Sequence, residues 1–288
     1  MKRRILYILL VAGLGLFSIF TSAVFGRKSI TIKGSDTMVI LGQRWAEEFM
    51  KANPDMIVQV TGGGSGTGIA ALINGTTDIA QASRPMKQTE KEKLRDRFNS
   101  LGVEIPVAKD GLSVYLNEAN PVEELTLAEI KGIYTGKIAN WKEVGGPDAR
   151  IILYGRENSS GTYVFFKDNV LKGEDYAPAT QTLPGTAAVV NAVAKDKNGI
   201  GYGGAAYAKG VKDTKVKKDA NSPGIVPSLE TVSTGSYPIW RYLNWYTRTK
   251  PSGDVKRFVD YALSKEGQET VTNVGYFPIT QGPTVSTK

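Results

Sequence analysis

The chain has 288 residues, a formal net charge of +8 and 41% hydrophobic residues, which is enough apolar content for a sizeable core. It contains neither cysteine nor histidine, which excludes disulfides, Cys/His zinc sites and histidine-based nucleophile systems. Lys and Arg are spread along the chain without a nucleic-acid-binding motif, so the charge predicts a basic surface and no nucleic-acid partner.

The N-terminus has the pattern of a targeting segment. Positive residues at positions 2–4 precede an uncharged apolar stretch at 5–20, and small residues follow at 21–23. This order is typical of a secretory signal peptide within residues 1–26. Because the apolar stretch approaches membrane-spanning length, an uncleaved N-terminal anchor is the alternative. Both interpretations place the body of the protein outside the cytoplasm, and the missing cysteine excludes a Cys-anchored lipoprotein.

From residue 29 onward, segments typical of strands and helices alternate along the chain. Apolar runs predict strands, and apolar residues at helical spacing predict helices. The predicted elements are strand 29–32, helix 39–51, strand 56–60, a helix start at 69–73, strand 78–82, helix 89–98, and strands 103–107 and 112–116. The alternation predicts an α/β fold with mixed or parallel sheets.

The chain length and two turn-rich segments predict two lobes. Asp110-Gly111 and residues 233–238 lie between apolar runs, and we interpret them as the places where the chain crosses between lobes. Lobe I then contains residues 29–109 plus 235–288, and lobe II contains residues 110–234. Two crossing strands form a hinge with a cleft between the lobes, which is where small ligands usually bind.

Three short loops rich in Gly, Ser and Thr lie where a predicted strand passes into a predicted helix. They are residues 33–37 (KGSDT), 61–68 (TGGGSGTG) and 155–163 (GRENSSGTY). Hydroxyls and backbone N–H groups at a helix start can bind anions, and Arg156 adds a charged planar fork that suits phosphate or carboxylate. One such loop alone is as well explained by a helix cap or a turn. The three together predict an oxyanion site.

Four stretches of the chain resemble the periplasmic phosphate-binding proteins that supply the ABC-type phosphate importer. They are residues 125–146 (LTLAEIKGIYTGKIANWKEVGG), 155–163, 198–208 and 263–279 (LSKEGQETVTNVGYFPI), within a similarity that covers nearly all of the mature chain. The resemblance implies a two-lobed flytrap fold with two crossover strands as its hinge. It also implies a periplasmic or extracytoplasmic monomer that is not an enzyme, needs no metal or cofactor, and passes inorganic phosphate to an ABC phosphate permease.

The resemblance also assigns phosphate ligands residue by residue. Arg156 is the expected cationic ligand, and the residues after it supply hydroxyl and backbone donors. The first and second loops contribute donors from the other lobe, with the register of the first loop fixed to within one residue. The predicted phosphate-binding residues are Ser35, Asp36, Thr37, Met38, Ser65, Ser83, Arg84, Arg156, Ser160, Gly161 and Thr162.

The chain departs from the family pattern after the strand predicted at 78–82. Many members carry Ser-Asp there, and that Asp accepts the phosphate proton, whereas this chain has Ser83-Arg84. The acceptor must come from elsewhere or be missing. Asp36 is the first candidate, although a role as a helix cap is the alternative for it, and Glu157 is the second. Arg84 is expected to pair with one of these carboxylates or to touch the anion.

Two other functions stay open as alternatives. The same fold could serve as a receptor for sulfate, molybdate or tungstate, because the departure at Arg84 leaves phosphate-over-sulfate discrimination undecided. A secreted phosphate-ester hydrolase with a Ser or Thr nucleophile is disfavoured by the missing histidine and by the lack of a paired base.

Overall fold

The computed structural model describes residues 28–279, so the predicted signal peptide or anchor at 1–26 lies outside the described residues. The strands are β1 Lys28–Gly34, β2 Met56–Thr61, β3 Ile79–Ala82, β4 Val103–Leu116, β5 Glu124–Thr126, β6 Ile152–Arg156, β7 Gln181–Leu183, β8 Gly199–Gly204, β9 Lys212–Lys217 and β10 Trp240–Thr247. The α-helices are α1 Val39–Ala52, α2 Ser65–Asn74, α3 Gln88–Phe98, α4 Leu127–Tyr134, α5 Gly161–Asn169, α6 Gly185–Lys195, α7 Leu229–Ser233, α8 Gly253–Leu263 and α9 Lys265–Val274. Short 3-10 turns lie at Asp36–Met38, Trp141–Val144 and Ala205–Tyr207.

The strands form one mixed sheet in the order β2-β1-β3-β10-β4-β8-β6-β7, and β9 joins β4 and β5 beside this path. At one end, β1 runs parallel to β2 and β3. At the other end, β6 runs parallel to β7 and β8. The two central strands β4 and β10 are antiparallel to each other. Two parallel groups with helices around them, joined by antiparallel strands, confirm the predicted two-lobed α/β fold.

Each end of the sheet has its own hydrophobic core. The first lobe packs β1, β2 and β3 against α1 and α8 around the buried side chains of Trp45, Trp245 and Phe258. The second lobe packs β6 and β8 against α4 and α5 around Tyr134, Phe166 and Tyr202, whose rings contact one another. Aromatic pairs of this kind add stability beyond their buried area. The two ends of the sheet therefore have separate hydrophobic cores.

The central strand β4 corrects one sequence prediction. We expected two strands, 103–107 and 112–116, with a turn at Asp110-Gly111, but Val103–Leu116 is one continuous strand. Its first part pairs with β10 as far as Gly111, and its second part pairs with β8 from Leu112 onward. The polar residues at 110 and 111 looked like a turn because Asp and Gly are common in turns. Asp110 is instead fully buried within the strand.

The Gly-rich loop also corrects a prediction. We expected the helix after this loop to start at residue 69, but α2 begins at Ser65, so the second half of TGGGSGTG is helical. A Cβ atom at Gly68 would lie 2.2 Å from the carbonyl oxygen of Lys33, in the neighbouring β1. Glycine is therefore needed at 68 because the helix packs closely on the strand, and not because the segment turns.

Between residues 28 and 279, no helix combines the length and the apolar character needed to cross a membrane.

Candidate functional site

The three predicted loops come together at the centre of the molecule, where strands of both lobes end. In the first lobe, β1 leads into Ser35, β2 leads into Ser65 at the start of α2, and β3 leads into Ser83. In the second lobe, β6 ends at Arg156, and α5 follows at Gly161. Carboxyl ends of parallel strands meet at one edge of a sheet, and ligands of α/β proteins bind there.

Five buried hydroxyl groups form the middle of the site, and we call them the hydroxyl cluster. The cluster consists of Ser35, Thr37, Ser65, Ser83 and Thr162, and none of these residues is more than 1% exposed. Ser35 Oγ lies 2.9 Å from Ser83 Oγ, and Ser65 Oγ lies 3.4 Å from the same atom. Thr162 comes from the second lobe, and its Oγ1 lies 2.9 Å from Thr37 Oγ1. The cluster therefore joins the two lobes.

Arg156 is the last residue of β6 and only 2% exposed, and its bond to Asp36 links it to the loop that carries Ser35 and Thr37 of the cluster. Its Nη1 donates to Thr186 Oγ1 over 2.8 Å, and its Nη2 donates to Asp36 Oδ2 over 2.9 Å. Glu157 also accepts from Nε and Nη2, at 3.2 and 3.1 Å. Burial tends to raise the pKa of Glu157, but Arg156 outweighs it and keeps that pKa below its ordinary value.

Asp36 connects two loops and both lobes. One carboxylate oxygen accepts from Arg156 in the second lobe, and the other accepts from the backbone N–H of Gly63 over 2.8 Å. Its carbonyl oxygen accepts from the Tyr207 hydroxyl, also over 2.8 Å. The cap alternative finds no support, because Ser35 is the cap residue of the short turn at Asp36–Met38 and no side chain caps that turn.

The loops of the two lobes lie in direct backbone contact beside the cluster. The N–H of Gly66 donates to the carbonyl oxygen of Ser159 over 2.9 Å. A Cβ at Gly64 would lie 2.5 Å from that oxygen, and the φ of Gly64 is +91°. Both the close approach and the left-handed backbone require glycine at this position. The structure therefore shows the lobes closed on each other.

Arg84 does not pair with Asp36 or Glu157, which corrects our expectation. Its two Nη atoms donate to the carboxylate of Glu90 over 2.8 and 2.7 Å, and Nη1 also reaches the carbonyl oxygen of Pro85. Glu90 is held in place because it also accepts from the N–H of Lys87 at the start of α3. Burial tends to raise the pKa of Glu90, but these donors hold it below its ordinary value. Glu90 lay outside the predicted set because its sequence position indicated only a helix start.

The remaining predicted residues take supporting positions. The side chain of Met38 is buried in the core of the first lobe, and its N–H donates to the carbonyl oxygen of Ser35. Ser160 caps α5, since its Oγ accepts from the N–H of Tyr163 over 3.3 Å. Gly161 is the first residue of α5, where helices leave backbone N–H groups without intrahelical partners. These N–H groups can therefore donate to an anion at the cluster.

Arg241 lies outside the predicted set of site residues, and Asp110 lies in a strand where a turn was predicted. Arg241 lies in β10, 4% exposed, and its guanidinium donates to Asp110 Oδ2 through Nε and Nη2 at 3.1 and 2.8 Å. The same Nη2 lies 3.0 Å from Thr162 Oγ1. Burial raises the pKa of Asp110, although the charge of Arg241 opposes this. The available signal was a single charged residue inside an otherwise apolar and aromatic run at 237–243.

The arrangement brings together hydrogen-bond donors and positive charge. Hydroxyl donors, a helix start and a buried guanidinium are the groups that proteins use for phosphate and related oxyanions. No group of three His, Cys, Asp or Glu side chains among residues 28–279 is placed to bind a metal ion. The hydroxyls, the helix start and the guanidinium groups of this site favour binding of an oxyanion.

The chain is similar to phosphate-binding proteins of the PBP superfamily. The model of a PBP superfamily domain matches residues 22–266. The phosphate-binding protein PstS of Bacillus subtilis is 37% identical over 254 residues, which cover 88% of this chain and 81% of that protein. The protein of the same name from Pseudomonas aeruginosa is 31% identical over 263 residues, covering 85% of this chain and 81% of its own length.

Solved structures give the same result. A putative phosphate ABC transporter substrate-binding protein from Clostridium perfringens, solved with bound phosphate, is 32% identical and superposes with a TM-score of 0.80. The match covers 88% of this chain and all of that one. An ABC-type phosphate transport receptor from Vibrio cholerae is 28% identical, with a TM-score of 0.70, and covers 87% of this chain and all of its own.

Proposed function

Because this chain belongs to the PBP superfamily and to its family of PstS phosphate-binding proteins, we propose that it captures inorganic phosphate between its lobes and delivers it to an ABC-type phosphate permease. The observation that carries the proposal is the hydroxyl cluster, to which Arg156 is linked through Asp36. Both lobes contribute to it, and its members are buried and hydrogen-bonded to one another between the lobes. The similar proteins are substrate-binding proteins, and we propose binding without catalysis here too.

The chemistry of the site suits phosphate at neutral pH. Monohydrogen phosphate is a compact dianion whose oxygens accept hydrogen bonds from several directions. Hydroxyls of the cluster and N–H groups of the first turn of α5 supply donors of defined direction, and Arg156 supplies positive charge. Since Arg156 is paired with Asp36 and Glu157, hydrogen-bond geometry contributes to selection along with charge.

Binding and release follow from the two-lobed fold. The first lobe supplies Ser35, Thr37, Ser65 and Ser83, and the second supplies Arg156 and Thr162. An anion that touches both groups stabilises the closed form by its differential affinity, and opening of the lobes releases it. We propose that this opening takes place on the permease, and that the protein works as an extracytoplasmic monomer exported by its N-terminal segment.

Calorimetric titration tests the proposal directly. We expect tight binding of phosphate and much weaker binding of sulfate, molybdate and tungstate. Preferred binding of one of the other oxyanions would replace phosphate as the ligand. Turnover of a chromogenic phosphate ester by the purified protein would support the hydrolase alternative and contradict a pure binding role.

We propose Asp36 as the acceptor of the phosphate proton. In the sequence it stands between Ser35 and Thr37, two members of the cluster, and its carboxylate accepts a hydrogen bond from Arg156. Sulfate has no such proton at neutral pH. We predict that Asp36→Asn weakens phosphate binding by about ten- to a hundredfold, while sulfate binding is unchanged or stronger, because a hydrogen bond to a charged group contributes about 1.5–3 kcal/mol. Titration with both anions measures the ratio of the two affinities.

The matched control for Asp36 is Glu157→Gln, because Glu157 also accepts from Arg156. The control should leave the phosphate-to-sulfate ratio unchanged. Equal weakening of both anions by Asp36→Asn would mean that Asp36 only orients Arg156. A changed ratio in Glu157→Gln alone would transfer the acceptor role to Glu157.

A further inference from the structure

Arg241 connects the hydroxyl cluster to both lobes from its position in the central strand β10. Its Nη1 donates to the carbonyl oxygen of Ser83 over 3.0 Å, at the end of β3 in the first lobe. Its Nη2 donates to Thr162 Oγ1 over 3.0 Å, in α5 of the second lobe. One guanidinium thus bonds to a cluster residue on each side of the cleft. The Thr162 bond can exist only when the lobes are closed.

The bond to Thr162 fixes the direction of a hydroxyl proton. A guanidinium has donors only, so Thr162 Oγ1 must accept this bond, and its own proton points away from Arg241. The other hydrogen-bonding neighbours of this oxygen among residues 28–279 are Thr37 Oγ1 at 2.9 Å and Ser83 Oγ at 3.5 Å, both in the cluster. Arg241 therefore turns the Thr162 hydroxyl into a donor that faces the cluster.

The hydroxyl of Ser65 is oriented in the same way, in this case by a backbone donor. Its Oγ accepts from the N–H of Ser83 over 3.1 Å, which leaves its proton to point elsewhere. The deprotonated oxygens of an oxyanion only accept hydrogen bonds, so they need hydroxyls whose protons are available. A free hydroxyl would rotate and would lose conformational freedom on binding, whereas an oriented one is already prepared.

The position of Arg241 is itself fixed on two sides. Asp110, fully buried in β4, accepts from Nε and Nη2, and the pair shares a site that excludes water. The ring of Phe165, in α5, lies 5.3 Å from the guanidinium carbon. A buried charge of this kind is stable only with a partner, and a planar fork between a carboxylate and a ring cannot swing away from Thr162.

We propose, resting on phosphate capture as the function, that Arg241 is a positioning residue: held by Asp110, it orients the Thr162 hydroxyl as a donor to the bound anion and couples that donor to lobe closure. Arg241 acts through Thr162. A residue with a merely structural role would affect binding to the same extent whether or not Thr162 had its hydroxyl.

A double-mutant cycle separates these possibilities. The four proteins are wild type, Arg241→Lys, Thr162→Val and the double variant, and equilibrium dialysis with radiolabelled phosphate measures even weak dissociation constants. Lysine keeps the charge but lacks the planar guanidinium that donates to Asp110, Ser83 and Thr162 at once. We expect Arg241→Lys to weaken phosphate binding about tenfold in the wild-type background and less than about threefold in the Thr162→Val background.

Arg248→Lys is the matched control, because Arg248 follows the same strand and pairs with Asp78 away from the cluster. It should leave the phosphate affinity unchanged. If Arg241→Lys fails to fold in thermal denaturation, the Asp110→Asn/Arg241→Gln pair, which removes both buried charges, takes its place in the cycle with the same expectation.

The outcomes distinguish this inference from the proposed function. Wild-type protein that binds no phosphate would contradict the proposed function and the inference together. Wild-type binding with an equal loss from Arg241→Lys in both backgrounds, or with no loss in either, would overturn the inference alone.

Discussion

Replacement of Arg156 by alanine is expected to weaken phosphate binding by more than about a hundredfold, since breaking a buried charged contact costs about 3–5 kcal/mol. Arg156 is 2% exposed, and in the sequence it precedes the first turn of α5. The variant loses the positive charge and also leaves Asp36 and Glu157 without their partner. Two uncompensated carboxylates beside the cluster would repel the anion. Calorimetric titration with phosphate measures the loss.

Arg150→Ala is the control for Arg156, because Arg150 is an exposed arginine that precedes the same strand. It removes the same charge from the protein as a whole and should leave the affinity unchanged. Thermal denaturation of both variants shows whether the fold is kept. An Arg156→Ala protein that folds and binds phosphate with wild-type affinity would remove Arg156 from the site.

The local elements of the fold could be predicted from the sequence because they depend on short-range patterns. The predicted strand 56–60 and helix 89–98 correspond to Met56–Thr61 and Gln88–Phe98, within one residue at each end. The three loops of the site could be predicted for the same reason, since serine, threonine and glycine residues follow each strand directly. The positions of the site loops are thus encoded locally.

The errors arose where a distant residue decides the local structure. Asp110 and Gly111 have turn chemistry, yet they lie in a strand because Arg241, 131 residues away, neutralises the buried carboxylate. Glu90 likewise takes Arg84 away from the carboxylates that we expected it to meet. Secondary-structure propensities do not predict such pairings, because the two partners meet only when the chain is folded.

Gly161→Ala is expected to abolish tight phosphate binding without destabilising the protein. A Cβ at this position would lie 2.2 Å from Ser65 Oγ and 2.7 Å from Ser83 Oγ, both in the opposite lobe. Gly161 is the first residue of α5, where alanine suits a helix better than glycine. The added methyl group therefore acts only in the closed form, as a wedge between the lobes. We expect binding to fall by more than about a hundredfold, at the upper end of the cost of overpacking.

Small-angle scattering with and without phosphate shows whether this wedge acts on closure. Wild-type protein should become more compact at saturating phosphate, whereas Gly161→Ala should keep the same scattering curve in both conditions. Gly132→Ala is the matched control, because the atoms nearest to its Cβ would belong to the side chain of Ile138 in the second lobe, away from the cleft, and it should close like the wild type. If Gly161→Ala bound phosphate and compacted normally, the anion could not lie between α5 and the serines of the first lobe. Loss of both binding and compaction would show that closure brings Gly161 against Ser65 and Ser83 and that tight binding depends on this close approach.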